Sequence, residues 1–343
     1  MKKIVVTGGS GFIGSNLIQL LLKRKFFVIN IDKSSYSANP YNVKDFKKNN
    51  NYLFYKLDIN NKEALLKILK KYKPLGIFNL AAETHVDRSI DDAQNFIRSN
   101  ILGVYNLLEC IRKLDKKLKN KIRFFQVSTD EVYGDIPNNK KASEKYNYNP
   151  SSPYSASKAG ADQIIRSYTR TYKIKTLIAN PCNNYGPNQF PEKFIPKMIF
   201  NILNNKPLPI YGKGRNVREW IYVQDTCEAL LKIFLKGKIG ESYNIGTGVK
   251  LKNTEIVKKI FIIFKKNKIK IGKKTKVQFV KDRPGHDERY SLNSTKIKKE
   301  IKWKSKTSII SGLEKTVLWY YKNLTFFKKI SKSNITKRLG LNI

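Results

Sequence analysis

Apolar residues in the first 180 positions follow two alternating spacings. Short runs rich in β-branched and aromatic residues are typical of buried strands, and they occupy 3–8, 26–32, 52–59, 76–83, 122–127 and 175–180. The segments between them carry apolar residues three and four positions apart, which favours amphipathic helices, and the clearest are 12–24, 62–72, 92–114 and 153–172. Strands that alternate with helices pair in parallel. The pattern therefore predicts an α/β fold with a Rossmann-like doubly wound parallel sheet.

The pattern loosens after residue 180, where clustered proline and glycine indicate loops that shape a pocket. A strand at 218–225 and the helix that follows are expected to return to the first domain, and helices are predicted at 254–267 and 311–323. These elements predict a smaller C-terminal substrate-binding α/β domain. The expected boundaries are 1–182 with 219–240 for the first domain, 183–218 with 241–325 for the second, and 326–343 for a loose tail.

A glycine-rich turn joins the first strand to the first helix. The segment "TGGSGFIG" contains Gly8, Gly11 and Gly14, and glycines in this position allow a tight turn and close approach of a pyrophosphate to the helix N-terminus. Asp32 ends the second strand, 18 residues after Gly14. A carboxylate there binds the ribose diol and repels a 2′-phosphate, so the sequence predicts NAD rather than NADP. Asp58, followed by Ile59, ends the third strand and is placed to contact the adenine.

Two further motifs predict proton-transfer groups. Tyr154 and Lys158 are four residues apart on a predicted helix, so they share one face. We expect the ammonium to lower the pKa of the phenol, which could then accept a proton from a substrate hydroxyl while hydride leaves the same carbon. After the fifth strand come Thr129 and two adjacent acids, Asp130 and Glu131. Adjacent buried carboxyls repel, which favours one protonated acid beside one ionised base.

Together these motifs resemble the extended short-chain dehydrogenase/reductases, and within them the dTDP-glucose 4,6-dehydratases. The resemblance runs from residue 2 to about 322 and includes "AAETHVDRSI", "STDEVYGD", "SSPYSASKAGADQ", "NNYGPNQFPEKFIP", "LPIYGKGRNVREWIYVQD" and "DRPGHDERY". It implies a resident NAD that takes hydride from carbon 4 of the sugar and returns it to carbon 6. It also implies that Tyr154 removes the 4-hydroxyl proton, with Thr129 bonded to that hydroxyl. Glu131 would then take the proton at carbon 5, and Asp130 would protonate the leaving 6-hydroxyl.

The resemblance assigns further contacts and no metal. For the cofactor it implies Phe12, Ile13, Lys33, Ser34, Ser35, Leu80, Ala81, Ala82, Thr84, Ser99 and Asn184, besides Tyr154 and Lys158. For the nucleotide sugar it implies Thr84, His85, Thr129, Asn183, Lys193, Phe194, Pro209, Ile210, Tyr211, Arg218, Asn253, Asp282, Arg283, Pro284, Gly285 and His286. The chain departs from the family pattern at Pro181 and Cys182, at Ser99, and in "YSAN" near the second strand.

Three alternative functions remain open from the sequence. A UDP-glucose 4,6-dehydratase would use the same chemistry, because only a methyl group separates thymine from uracil. A sugar-nucleotide 4-epimerase needs the tyrosine and lysine but no second acid–base pair. A nucleic-acid-binding protein is suggested by the net charge of +42. However, only 12 of the 68 basic residues are arginine, the residue on which base recognition most depends. A solvated, lysine-rich surface explains the charge better, so we expect no nucleic-acid partner.

The remaining features concern location and assembly. No apolar run approaches the ~20 residues that span a bilayer. The three cysteines are far apart and in no metal-binding spacing, which favours a reducing environment. We therefore expect a cytoplasmic protein with no membrane partner. The family resemblance also implies a homodimer formed through the helices at 92–114 and 153–172.

Overall fold

The structure, a computed structural model, describes residues 1–328 and 330. In this part of the chain the strands are β1 Lys3–Thr7, β2 Phe27–Asp32, β3 Tyr52–Lys56, β4 Gly76–Asn79, β5 Arg123–Val127, β6 Lys175–Pro181, β7 Asn183–Tyr185, β8 Leu208–Tyr211, β9 Val217–Tyr222, β10 Ser242–Ile245, β11 Lys250–Lys252 and β12 Val277–Val280. The α-helices are α1 Phe12–Lys23, α2 Lys62–Tyr72, α3 Val86–Asp91, α4 Gln94–Phe96, α5 Gly103–Arg112, α6 Lys116–Lys119, α7 Pro153–Tyr172, α8 Phe194–Leu203, α9 Val223–Lys236, α10 Asn253–Lys266, α11 Ile309–Lys322 and α12 Thr325–Lys328. Tighter 3₁₀ turns cover Pro40–Phe46 and Asp130–Tyr133, and wider π turns cover Ile97–Leu102 and Ile297–Ile301. No described helix is long and apolar enough to cross a membrane.

Seven strands form one parallel sheet in the order β3-β2-β1-β4-β5-β6-β10. This order confirms the predicted Rossmann-like doubly wound fold, because the chain moves outward from β1 in one direction and from β4 in the other. Alternate residues of a strand face opposite sides of the sheet. Ile4 and Val6 accordingly pack in the core under α1 and α9, whereas Val5 packs in the core under α2, α5 and α7.

A second, smaller half is built on two short sheets. One has the order β11-β9-β7 and the other pairs β8 with β12 in parallel. Helices α8, α10 and α11 cover them, and the core between them contains residues such as Met198, Ile260 and Leu313. This half lies beside the carboxyl ends of the large sheet, because β7 follows directly from β6.

The chain returns to the large sheet later than the sequence indicated. The strand expected in the return, Val217–Tyr222, pairs instead with β7 and β11 in the small sheet. The strand that joins β6 is Ser242–Ile245, after α9 has packed against the first half of the chain. Both strands are short and mix polar with apolar residues, so periodicity alone cannot assign them to a sheet. The domain boundaries themselves remain predictions.

The tail expected at 326–343 lies only in part within the described residues. Phe326 is fully buried and Phe327 nearly so, and both pack against Tyr320. The remainder of that prediction, 329 and 331–343, lies outside the described residues.

The helix predicted at 92–114 is interrupted. It consists of α4, the wide turn Ile97–Leu102 and α5. Within this turn Asn100 accepts a hydrogen bond from the Glu83 amide (2.9 Å) and donates to Ser157 Oγ (2.8 Å). Wide turns of this kind often lie at functional sites. Here the turn brings Ser99 to the end of β4.

Candidate active site

A deep cavity runs along the carboxyl ends of the parallel strands, where the strand order reverses between β1 and β4. This is the usual ligand position in such sheets. The lining includes predicted cofactor and catalytic residues from distant parts of the chain: Gly8, Gly11, Phe12, Ile13, Gly14, Asp32, Lys33, Ser35, Asp58, Ile59, Leu80, Ala81, Ala82, Thr84, Ser99, Thr129, Asp130, Glu131, Tyr154, Lys158, Asn183, Asn184 and Lys193.

The glycine-rich turn leaves no space for side chains. Gly8 has φ +68°, and a Cβ there would lie 2.6 Å from the Ala81 amide nitrogen. A Cβ on Gly14 would lie 2.3 Å from the Gly8 carbonyl oxygen. Helix α1 then begins with no side-chain cap and no acidic residue in its first turn. Its first amides are therefore suited to hold an anionic pyrophosphate.

Asp32 lies at the end of β2 with both carboxyl oxygens held by backbone amides. Ser10 donates to Oδ2 (2.9 Å) and Ser34 donates to Oδ1 (2.7 Å). Burial raises the pKa of Asp32, and these two hydrogen bonds oppose the rise. Ser34 itself is exposed and does not line the cavity, so its contribution is to hold Asp32 through its amide.

Lys33 points away from the carboxylate that precedes it. Its Nζ lies 3.4 Å from Glu83 Oε1 and donates to Ser99 Oγ at 3.1 Å. Glu83 therefore forms an ion pair with the Lys33 ammonium, which could otherwise attract a 2′-phosphate. With the uncapped helix and a fixed Asp32, these residues fit NAD: Gly8–Gly14 at the pyrophosphate, Asp32 at the ribose, and Asp58 and Ile59 at the adenine.

The catalytic candidates meet at the end of β5. Thr129 has extended backbone geometry and caps the 3₁₀ turn Asp130–Tyr133, with its Oγ1 accepting from the Glu131 amide (3.3 Å) and donating to Asp130 Oδ1 (3.3 Å). Asp130 Oδ2 is buried and has no partner among the described residues. Asp130 is 3% exposed, whereas Glu131 is partly open to the cavity.

The two adjacent carboxyls have different electrostatic surroundings. Burial raises the pKa of Asp130 well above its usual range, and the charges of Glu131 and Glu219 raise it further. Burial also raises the pKa of Glu131, but Arg283, Lys193 and Arg218 oppose the rise. Three cations favour the ionised form of Glu131, and two carboxylates favour the neutral form of Asp130. This arrangement supports one acid beside one base.

The expected fall in the pKa of Tyr154 is wrong for the chain alone. Burial and the charge of Glu131 raise the pKa of Tyr154 rather than lower it, and a hydrogen bond with Thr129 opposes the rise. Lys158 Nζ donates to the Val127 carbonyl oxygen (2.8 Å). Burial lowers the pKa of Lys158 to about 8. Spacing on a helix predicted the shared face but could not predict burial, which dominates here.

A network of opposite charges forms the wall facing the two acids. Asp87 accepts hydrogen bonds from Tyr211 (2.6 Å) and Arg283 Nη1 (2.9 Å), which join three segments of the chain. Lys193 Nζ donates to the Thr84 carbonyl oxygen (2.6 Å). Arg283 Nε is buried without a partner among the described residues, as are the side-chain oxygens of Asn183 and Asn184. Such atoms are suited to bind a polar ligand.

The remaining predicted substrate residues continue this wall beyond the cavity lining. Arg218 is buried over the Tyr290 ring, 4.2 Å from its centroid. Burial lowers the pKa of His286 to about 4 and that of His85 to about 3, so both imidazoles are neutral at neutral pH. His286 Nδ1 lies 2.6 Å from Asp282 Oδ1.

Six predicted positions have other surroundings. Ile210 is fully buried, and Phe194 packs against the core of the smaller half together with Trp220. Pro284 and Gly285 are exposed. Pro209 is partly exposed, and Asn253 begins α10 beside the Asn216 carbonyl oxygen, to which its amide donates (3.3 Å).

Sequence reasoning missed several groups that the fold brings to the site, among them Val127, Gln189, Phe190 and Glu192. The cavity is also lined by Ser128 and by four residues noted from the sequence as departures from the family pattern, Ser37, Ala38, Pro181 and Cys182. Asp87 was missed although it lies within the quoted segment "AAETHVDRSI". A single acid two residues after a histidine carries no signal by itself, because its partners Tyr211 and Arg283 are more than 100 residues away in the chain.

Comparison with known proteins agrees with this geometry. The family model described as GDP-mannose 4,6 dehydratase matches residues 5–316. The chain is similar to the dTDP-glucose 4,6-dehydratase of Haemophilus influenzae, with 45% identity over 94% of this chain and 99% of that protein. It is also similar to the solved structure of dTDP-glucose 4,6-dehydratase from Bacillus anthracis in complex with NAD, with 40% identity, 96% and 100% coverage of the two chains and a TM-score of 0.86. The corresponding structure from Streptomyces venezuelae, with NAD and TYD bound, shares 37% identity, with 96% and 100% coverage and a TM-score of 0.87.

Proposed function

Because the chain belongs to the GDP-mannose 4,6-dehydratase family, we propose that it removes one water from a nucleoside-diphosphate glucose. The substrate is dTDP-glucose, the product is dTDP-4-keto-6-deoxyglucose, and the enzyme is an NAD-dependent hydro-lyase. The observation that carries this function is the adjacent pair Asp130 and Glu131 at the end of β5, beside Tyr154 in a dinucleotide-binding fold. Full-length similarity to dTDP-glucose 4,6-dehydratases supports the choice of substrate.

NAD, when bound, accepts a hydride from carbon 4 of the sugar and returns it to carbon 6. Its oxidised form carries a positive charge, which favours the phenolate form of Tyr154. Tyr154 receives the proton of the 4-hydroxyl, and the Thr129 hydroxyl bonds to the same oxygen. A hydrogen bond with Thr129 already opposes the rise in the pKa of Tyr154. Lys158 supplies a buried cation one helical turn from the phenol.

Elimination uses the two acids in different protonation states. A ketone at carbon 4 acidifies the hydrogen at carbon 5, and Glu131 removes that proton as a carboxylate. Asp130 donates its proton to the 6-hydroxyl, which leaves as water. The unequal surroundings of the two groups support this division, since Arg283, Lys193 and Arg218 favour a charged Glu131 while Glu219 favours a neutral Asp130.

The charged wall holds the nucleotide diphosphate. Arginine and lysine make charge-assisted hydrogen bonds to phosphate oxygens, and Arg218, Arg283 and Lys193 lie together near Glu131. Neutral His286 beside Tyr211 offers an uncharged surface to a base, with ring centroids 6.1 Å apart. An epimerase would have no use for a carboxyl acid and base at carbons 5 and 6, so the pair at 130 and 131 favours the dehydratase.

We also propose a homodimer formed through α4, α5 and α7 with the turn between α4 and α5. Ile97 and Leu102 on that turn are 49% and 45% exposed, and Tyr172 at the end of α7 is 39% exposed. Apolar side chains exposed on neighbouring helices are suited to pack against a second copy. The cytoplasm is the proposed location, because Cys110, Cys182 and Cys227 are free and buried thiols.

The test of the function needs no added cofactor. The purified protein is incubated separately with dTDP-glucose and UDP-glucose, and mass spectrometry follows the loss of one water while absorbance in alkali follows the 4-keto sugar. The expected result is turnover of dTDP-glucose well above that of UDP-glucose. Turnover mainly of UDP-glucose would overturn the base preference. No loss of water from either sugar by protein that retains NAD would overturn the dehydratase assignment.

A further inference from the structure

One face of α7 carries four ionisable groups, each separated by one helical turn. Tyr154, Lys158, Asp162 and Arg166 follow at intervals of four residues, a spacing that places side chains on one face. The first two belong to the proposed machinery. Asp162 has no role in it, yet it is fully buried.

Asp162 and Lys158 hold consecutive residues at the end of β5. Lys158 Nζ donates to the Val127 carbonyl oxygen (2.8 Å), and the hydroxyl of Ser128 donates to Asp162 Oδ2 (2.6 Å). Thr129 and the two acids follow directly in the chain. The helix therefore fixes the start of the catalytic segment through a cation and an anion on neighbouring turns.

The carboxyl of Asp162 also has a second layer of support. Tyr148 donates to the same Oδ2 (3.1 Å), and Arg166 Nη2 donates to the Tyr148 hydroxyl (3.2 Å). Burial raises the pKa of Asp162 to about 6, and the hydrogen bond from Ser128, the charge of Lys158 and the bond from Tyr148 oppose the rise. Asp162 is therefore mainly ionised at neutral pH, where Lys158 must keep its proton.

The charge on Asp162 matters because Lys158 is buried. Burial lowers the pKa of Lys158 to about 8 even though the charge of Asp162 opposes this fall. We propose that Asp162 is a positioning residue that keeps Lys158 protonated and fixes Ser128, so that the dehydratase retains its cation beside Tyr154 at neutral pH. This inference rests on the proposed function of Lys158 and extends it to a residue that contacts neither substrate nor cofactor.

Other charged groups face this part of the structure. On α7 they are Tyr154 and Arg166, and on the turn after β5 they are Asp130, Glu131 and Tyr133. Tyr148 approaches from the segment before α7. The two carboxyls on the turn remain in place in every variant described below, so a change in the titration of Lys158 reports on Asp162.

The direct test measures the titration of Lys158 without requiring turnover. Lys158 lines the cavity, so a small acylating reagent such as acetic anhydride can reach its amine, and mass spectrometry of the peptide gives the fraction labelled at each pH. Asp162→Asn keeps a side-chain oxygen that can accept hydrogen bonds from Ser128 and Tyr148 but removes the negative charge. In Asp162→Asn the midpoint for Lys158 should fall by about one pH unit, the lower end of the effect of one nearby charge. An unchanged midpoint would overturn the proposal.

The kinetic test uses the same variants. In wild-type protein, activity is lost as pH rises through the pKa of Lys158, because the cation disappears. Asp162→Asn should move this alkaline limb of kcat downward by about the same amount, and Asp162→Glu, which restores the charge, should move it back. An alkaline limb that stays in place in Asp162→Asn contradicts the proposal. Absence of turnover in wild-type protein would count against the proposed function alone, since the labelling test is independent of activity.

Two further variants complete the test, one as a control and one for the case that Asp162→Asn does not fold. The control, Asp225→Asn, removes a buried carboxyl on another helix, α9, where Asp225 accepts a hydrogen bond from the Thr307 amide (2.9 Å). This substitution should leave the labelling midpoint of Lys158 unchanged. If Asp162→Asn does not fold, Ser128→Ala keeps the carboxyl but removes the hydrogen bond that favours its charged form. The labelling midpoint of Lys158 should then fall, by less than in Asp162→Asn, and an unmoved midpoint would count against the role of Ser128 and Asp162.

Discussion

The two walls of the cavity are built in different ways. The wall at β1 and β2 is made of backbone: a glycine turn, uncapped helix amides, and Asp32 held by two amides. The opposite wall is made of charged side chains, where Asp87 binds Tyr211 and Arg283 from segments far along the chain. The first wall suits a dinucleotide that stays bound, and the second suits a charged substrate that must enter and leave.

The contrast also explains what each wall tolerates. Backbone geometry leaves no space for added atoms, so the first wall is sensitive to small steric changes. A network of buried charges is sensitive to the loss of one partner, because the remaining charge is then left unpaired. Asp130 and Glu131 both line the cavity, and two cations of the second wall, Arg283 and Lys193, oppose the rise in the pKa of Glu131.

The largest expected effect follows from removing the base. Glu131→Gln should lower the rate of dehydration about 10²- to 10⁴-fold, because no carboxylate then removes the proton at carbon 5. Oxidation at carbon 4 should persist, since Tyr154 and Thr129 are unchanged. Rapid mixing with dTDP-glucose should show reduced cofactor by its absorbance without loss of water. Full dehydratase activity in this variant would contradict the assignment of the base.

The next effect tests the charged wall. Arg283→Met leaves Asp87 without its cation, so KM for dTDP-glucose should rise about 30-fold or more, the effect of losing one partner of a buried charge pair. Bound NAD should be unaffected, because Arg283 is remote from the glycine turn. Arg24→Met is the matched control, since Arg24 pairs with Glu228 on the surface. Equal effects of the two substitutions would remove the distinction between the walls.

A smaller effect is expected from the backbone wall. Gly14→Ala places a Cβ 2.3 Å from the Gly8 carbonyl oxygen. Relief of this clash should weaken NAD retention about tenfold, which is equivalent to about 1.4 kcal/mol and lies within the ~1–3 kcal/mol of a local backbone strain. Gly160→Ala is the control, because a Cβ there meets only the Ile101 side chain at 3.4 Å. Retained NAD can be measured after denaturing the purified protein. Normal retention in Gly14→Ala would contradict the steric account.

The smallest effect concerns the pH profile. Glu131 must be ionised to act as a base, so activity should fall as pH falls through its raised pKa. In Arg218→Gln, which removes a cation that opposes this rise, the acid limb of the kcat profile should move to higher pH. Movement of the acid limb to lower pH would contradict this.

The sequence predicted the backbone wall well because its signals are local. Gly8 to Gly14 and Asp32 lie within one strand–helix–strand unit, and the spacing of Tyr154 and Lys158 needs only one helix. The strands of the large sheet were predicted within a few residues, except that β10 was missed. It has only four residues, Ser242–Ile245, and polar and apolar side chains alternate along it, so the pattern did not mark it as a buried strand of the large sheet.

The charged wall and the protonation states were less accessible for a physical reason. Asp87, Tyr211 and Arg283 become partners only when the two halves fold together, so no local pattern identifies Asp87. The pKa of Tyr154 was expected to fall because of Lys158, but the complete burial of the site raises it. Burial depends on packing from every side, and a motif contains no information about that.

The most direct test of the account is the protonation state of the two adjacent acids. Infrared difference spectra at neutral pH, comparing wild-type protein with Asp130→Asn and with Glu131→Gln, report which side chain carries the band of a protonated carboxyl group. The expected result is that this band disappears in Asp130→Asn and persists in Glu131→Gln. Loss of the band in Glu131→Gln, with its persistence in Asp130→Asn, would exchange the acid and the base and contradict the account.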